Sequence, residues 1–136
     1  MLARREHSRQ ELGTKLSQKG HSPQFIDLVL TELVEQNLLS DVRFAEAYVR
    51  MRSERGYGPK RIMAELQQRG VGEAEIHRAL LGCEIDWLSL VQTLFERKFG
   101  SEQDYQFEDR AKQWRYLYNR GFDSDLIREV VGNGYS

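Results

Sequence analysis

Glycine interrupts the chain at regular intervals, and the apolar residues between interruptions recur with a helical period. Three stretches align without a gap: 8–30, 58–80 and 109–131. At fixed offsets each carries an apolar residue (Leu16, Leu66, Leu117), then a base (Lys19, Arg69, Arg120), then a glycine (Gly20, Gly70, Gly121). An isoleucine follows (Ile26, Ile76, Ile127), and the register closes on Leu30, Leu80 and Val131. A fixed internal period of this kind marks a repeat architecture.

Each copy predicts two short helices joined by a tight turn. Leu12 with Leu16, and Ile62 with Leu66, fall four apart on one face. Ser8 and Glu11 have capping-box spacing, and Pro59 suits a first helical turn because its missing N–H is not needed there. The glycine stops the first helix in a left-handed conformation that other residues adopt at a cost. The base ahead of it complements the helix dipole. Ser22-Pro23 and Asp123 start the second helix, and Glu73 and Glu75 put negative charge in its first turn. Its stripe is Ile26, Val29 and Leu30, matched by Ile76, Ala79 and Leu80, and by Ile127, Val130 and Val131. Gln113 breaks the pattern at the place of Leu12 and Ile62, with Trp114 beside it.

Two short helices cannot enclose a core, so a third must cover them. It is expected from about Asp41 to Arg55, stopped by Gly56, and from about Asp86 to Phe99, stopped by Gly100. Phe44, Ala45, Tyr48 and Met51 form the expected buried face of the former; Trp87, Leu90, Val91 and Leu94 that of the latter. No alternating β-branched run is flanked by turns. The reading is an all-α chain of tandem three-helix repeats, divided as 1–56, 57–100 and 101–136, the last with two helices.

Composition narrows the function. No apolar run approaches the roughly 18 residues that span a bilayer, and Met1–Glu6 lacks a signal peptide's apolar stretch. Cys83 is the only cysteine, so no internal disulfide forms and the cytoplasm is expected. His7, His21 and His77 have no ligand spacing, so no metal is expected. Gly56-Tyr57-Gly58-Pro59-Lys60-Arg61 lacks the upstream strand and spacing of a phosphate loop. No nucleophile has a partnering base near it in sequence, and Cys83 is placed in a link between helices. An enzyme is not indicated, and no cofactor is called for.

Charge does not spread evenly. The net charge is −1, yet between Arg43 and Arg69 seven bases face three acids, while acids gather at Glu84, Asp86, Glu102, Asp104 and Glu108. Arg43, Arg50, Arg52, Arg55, Tyr57, Lys60, Arg61 and Arg69 are the central candidates for binding a partner, Arg69 doubling as a dipole-complementing residue. Arg115, Tyr118 and Arg120 are the distal candidates, in a helix with more aromatics than one face needs for packing. A helix-turn-helix DNA binder and a scaffold for another helical partner are the alternatives. Against the first, no helix is strongly basic, whereas phosphate contacts dominate DNA affinity.

Leu38-Leu39-Ser40-Asp41-Val42-Arg43-Phe44-Ala45, followed by Arg52-Ser53-Glu54-Arg55-Gly56-Tyr57-Gly58-Pro59-Lys60-Arg61-Ile62, resembles the RecX regulatory proteins, modulators of the RecA recombinase. Arg5-Glu6-His7-Ser8, Ile85-Asp86-Trp87, Arg97-Lys98-Phe99-Gly100 and Arg120-Gly121-Phe122 extend the resemblance over nearly the whole chain. It implies an elongated, curved array of three-helix repeats. It also implies binding in the groove of the RecA–single-stranded DNA filament, with inhibition of ATP hydrolysis, strand exchange and coprotease activity. Such proteins usually have a further apolar helix before the Arg-Glu-His-Ser segment, so the first repeat is expected to be incomplete. Others are more basic, so direct DNA binding is expected to be weak. A monomer is expected.

Overall fold

The computed structural model describes residues 6–100 and 107–132, without the side chains of Phe107 and Glu108. The acids at Glu102 and Asp104 lie outside the described residues, as do the ends of the stretches assigned to the first and third repeats. Among the described residues there are helices and no strand. Three glycine-turn pairs appear where the register places them. They are α1 (Arg9–Gln18) with α2 (Pro23–Glu35), α4 (Pro59–Gln68) with α5 (Glu73–Cys83), and α7 (Phe107–Arg120) with α8 (Ser124–Val131). Between them lie α3 (Asp41–Glu54) and α6 (Trp87–Phe99).

Local chemistry sets these boundaries. Ser8 and Glu11 form the reciprocal capping box, and the Ser8 hydroxyl also donates to the Arg69 carbonyl at 2.9 Å. Ser22, Asp86 and Asp123 each accept the backbone N–H three residues on. The Ser89 backbone and hydroxyl donors hold the Asp86 carboxyl below its ordinary range. At the other end, one bonding pattern closes all three first helices. The glycine N–H donates to the carbonyl three residues back, and the next N–H to the carbonyl five back, at Gly20-His21, Gly70-Val71 and Gly121-Phe122. Gly56-Tyr57 repeats it after α3, and Asn37-Leu38 after α2, with Asn37 at φ 60 in place of glycine.

The helices form two compact units. The first takes the described residues through Arg50 and then Met63–Cys83. Leu30, Leu39, Phe44, Ala45, Tyr48, Val49, Leu66, Val71, Ile76 and Ala79 are buried in it, each larger side chain contributing roughly 1.5–3 kcal/mol. The second unit takes Met51–Ile62 and the described residues from Glu84 onward. Its core is Val91, Leu117, Phe122 and Ile127, with Trp87, Leu90, Leu94 and Trp114 packed against it. Thus α6 covers the pair that follows it.

Two expectations change. Met51 shares a face with Phe44 but is 41% exposed, because the first unit's core ends at the turn before it. Cys83 is the last residue of α5, not part of a link, and its thiol points at the Glu46 carbonyl 3.5 Å away. Desolvation pushes that thiol up; Arg50 works against this and Glu46 with it. Gln113, at its apolar register position, is buried at 2% exposure.

Candidate interaction surface

The second unit brings two glycine turns together. Gly58 donates its N–H to the Arg120 carbonyl at 2.8 Å, and Lys60 to the Gly121 carbonyl at 3.0 Å. The first-turn donors of α4 therefore meet the last carbonyls of α7, so each helix end satisfies groups the other leaves over. Glycine is required on both sides. A β-carbon on Gly58 would lie 2.6 Å from the Gly121 carbonyl, and one on Gly121 would collide with the Arg61 backbone.

This junction fixes the cations around Tyr57. Tyr57 follows the stop glycine of α3, the position whose side chain normally lies over the residue five back. That residue is Arg52, whose guanidinium carbon sits 3.9 Å from the ring centroid. Arg61 and Arg120 stand 4.6 and 4.5 Å from the same ring. Arg61 also donates to the Asn119 carbonyl at 3.3 Å, and Arg120 to the Arg55 carbonyl at 3.4 Å. Each cation–π contact contributes about 0.5–1 kcal/mol at an exposed site. Stacking engages the face of a guanidinium rather than its donor edge, the part that recognises carboxylates and phosphates. The ring thus holds three positive charges together that would otherwise repel.

The other candidates distribute as follows. Arg55 and Lys60 are exposed in the same unit, on either side of the Gly56-Tyr57-Gly58 link. Arg115 is exposed on α7, as is Tyr118 at 55%. Arg50 is exposed in the first unit. Arg43 and Arg69 are engaged in their own unit. Arg43 ion-pairs with Glu6 at 3.3 Å and donates to the Asn37 side-chain and backbone oxygens, both at 2.9 Å. Arg69 lies 3.8 Å from Glu11 and stacks over Tyr48 at 4.7 Å. Sequence reasoning missed Lys98 and Tyr116. Lys98 lies 5.1 Å from the Tyr116 ring, which Arg120 also faces at 5.5 Å. The signal was the aromatic spacing Trp114, Tyr116, Tyr118, which alternates sides of α7.

Among the described residues no cluster of three or more His, Cys, Asp or Glu could hold a metal ion. No described helix is long and apolar enough to cross a membrane.

Comparison with known proteins agrees over the length of the chain. Three family models match, described as the first, second and third three-helix domains of RecX, at residues 1–33, 40–80 and 84–131. The Regulatory protein RecX of Pseudomonas syringae pv. tomato is 44% identical over 135 residues, covering 98% of this chain and 87% of that protein. That of Halorhodospira halophila is 44% identical over 131 residues, covering 96% and 81%. The crystal structure of RecX from Lactobacillus salivarius superposes with a TM-score of 0.81 at 24% identity, over 96% of this chain and 86% of that one. A second crystal structure of regulatory protein RecX gives 0.78 at 25% identity, over 95% and 66%. The chain belongs to the RecX family of regulatory proteins.

Proposed function

We propose that this protein is a non-enzymatic negative regulator of the RecA recombinase. It binds in the groove of the RecA–single-stranded DNA filament and lowers ATP hydrolysis, strand exchange and coprotease activity. The observation that carries the reading is the Tyr57 ring with Arg52, Arg61 and Arg120 around it, flanked by exposed Arg55 and Lys60. A nucleoprotein filament offers phosphates and acidic side chains, both of which suit guanidinium edges held in place. Arg115 and Tyr118 extend the binding surface within the second unit, and Arg50 offers a contact of its own on the first. The relatives' designation as regulatory proteins supports the choice of a binding function over a catalytic one.

Charge reversal tests the reading. Arg55→Glu, Lys60→Glu and Arg61→Glu together are expected to weaken inhibition of RecA ATP hydrolysis at least about tenfold, since like charges brought face to face cost several kcal/mol. Unchanged inhibition by a variant that keeps its helical circular-dichroism spectrum and melting temperature overturns it. Steeply salt-dependent binding to DNA without any recombinase would favour the DNA-binding alternative.

A further inference from the structure

Two glycine-turn junctions share one design and differ in charge. In the first unit the Gly70 turn meets the start of α1: Ser8 donates to the Arg69 carbonyl at 2.9 Å and Gln10 to the Gln68 carbonyl at 3.3 Å. In the second unit the Gly121 turn meets the start of α4 through the Gly58 and Lys60 N–H groups. The register sets Gly58, Lys60, Arg61 and Arg120 at the places of Ser8, Gln10, Glu11 and Arg69.

Glu11 and Arg61 make the difference. Glu11 stands 3.8 Å from Arg69, so the first junction pairs its base with an acid. The second puts Arg61 at that place, gathers it with Arg120 around the Tyr57 ring, and adds Arg52 from α3. Like charges at short range repel, and the sister junction closes with an acid at this position. Packing alone therefore does not account for the cation.

Tyr57 itself is half-buried under these guanidinium groups. Among the described residues its hydroxyl makes no hydrogen bond, and it is not one of the polar atoms closed off from solvent. It opens to water, with three cations around the ring that bears it. The Gly58 and Lys60 N–H groups are engaged by the α7 carbonyls, so an anion at this place is held by side chains. A phosphate monoester carries about −1.5 to −2 charges and three acceptor oxygens, whereas a carboxylate carries one charge and two oxygens. Guanidinium edges and a hydroxyl donor match the former better.

We propose that the Tyr57 junction binds a phosphate dianion, as inorganic phosphate or as the terminal phosphate of a nucleotide, held by Arg52, Arg61, Arg120 and the Tyr57 hydroxyl. Occupancy withdraws these cations from the filament, so free phosphate weakens filament binding. This second step rests on the regulatory reading above.

Orthophosphate is titrated into the full chain at constant ionic strength, with the side-chain Nε–H resonances of Arg52, Arg61 and Arg120 followed by NMR. Saturable shifts at all three are expected. Acetate should bind at least about tenfold more weakly, the value of one hydrogen bond to a charged group. Tyr57→Phe keeps the ring without the hydroxyl and should lose about tenfold for the same reason. Arg61→Glu, which restores the charge of the sister junction, should abolish saturation while keeping the helical circular-dichroism spectrum; Arg61→Gln serves if that variant does not fold. Adenosine monophosphate distinguishes the sources. Affinity equal to that of orthophosphate assigns the site to the phosphate group alone, and tighter binding assigns it to a nucleotide. In co-sedimentation with RecA filaments, orthophosphate should release the chain more than chloride of equal ionic strength does. Shifts that never saturate, equal affinity for acetate, or a Tyr57→Phe variant that binds as tightly as the parent each overturn the site, and release no greater than by chloride overturns the competition. A chain that binds no phosphate, yet loses filament inhibition on charge reversal, overturns this proposal and leaves the regulatory reading standing.

Discussion

Single positions in this chain matter most where backbone conformation and space coincide. Gly20 and Gly121 occupy the same register position, at φ 90 and φ 103. A side chain at either meets the left-handed penalty of about 1–2 kcal/mol. At Gly20 a β-carbon has nothing within 4 Å, whereas at Gly121 it strikes Arg61. Gly121→Ala is therefore expected to destabilise the second unit clearly more than Gly20→Ala destabilises the first. Urea denaturation followed by circular dichroism measures both, and equal effects would mean that the Gly58–Gly121 approach is not tight in solution. Tyr57 puts the same kind of turn to another use. Its place after the stop glycine directs its ring onto Arg52 through the same turn bonding that joins the Val71 N–H to the Leu66 carbonyl and the Phe122 N–H to the Leu117 carbonyl.

At the scale of the helix, capping and burial act together. Ser8 and Ser22 both cap helices through a hydroxyl that accepts the N–H three residues on. Ser22 is exposed, so Ser22→Ala is expected to cost the ordinary cap value of about 1 kcal/mol. Ser8 is fully buried and also donates to the Arg69 carbonyl. Its replacement by alanine leaves that carbonyl without this donor in a dry place, adding roughly 1–3 kcal/mol. Differential scanning calorimetry of the two variants should show the larger drop in melting temperature for Ser8→Ala. The helix pattern was legible from periodicity in α2, α5, α6 and α8, where apolar stripes and caps agree. It was less so in α3. Periodicity puts Met51 on the buried face of that helix, yet a face is buried only as far as its neighbours extend.

For the molecule as a whole, net charge and local charge pull apart. A chain of net charge −1 has no broad field to draw it to nucleic acid, so any hold on phosphates must come from the few cations held together in the second unit. Arg61→Gln is accordingly expected to flatten the salt dependence of filament binding. The slope of log K against log salt should fall by about 0.7 for each single-stranded DNA phosphate that the variant no longer neutralises. Co-sedimentation across a salt series reads this out. Weaker binding with an unchanged slope would place Arg61 against RecA side chains and not against phosphate.

The sequence by itself determined the repeat, the helices, their caps and the glycine stops, because each depends on residues within about five positions of one another. It also grouped the cations of the central stretch and of α7, since both groups are local. Only the tertiary structure decided which of them meet. Arg52, Arg61 and Arg120 share one ring because Gly58 and Gly121, far apart in the chain, let two turns approach, a pairing no local pattern encodes. The same holds for Arg43 and Arg69, whose partners Glu6 and Glu11 come from distant parts of the chain. Long-range packing also decided which glycine-turn pair α6 covers, the one that follows it, because Val91 is buried only where Leu117 and Ile127, distant in the chain, come to meet it.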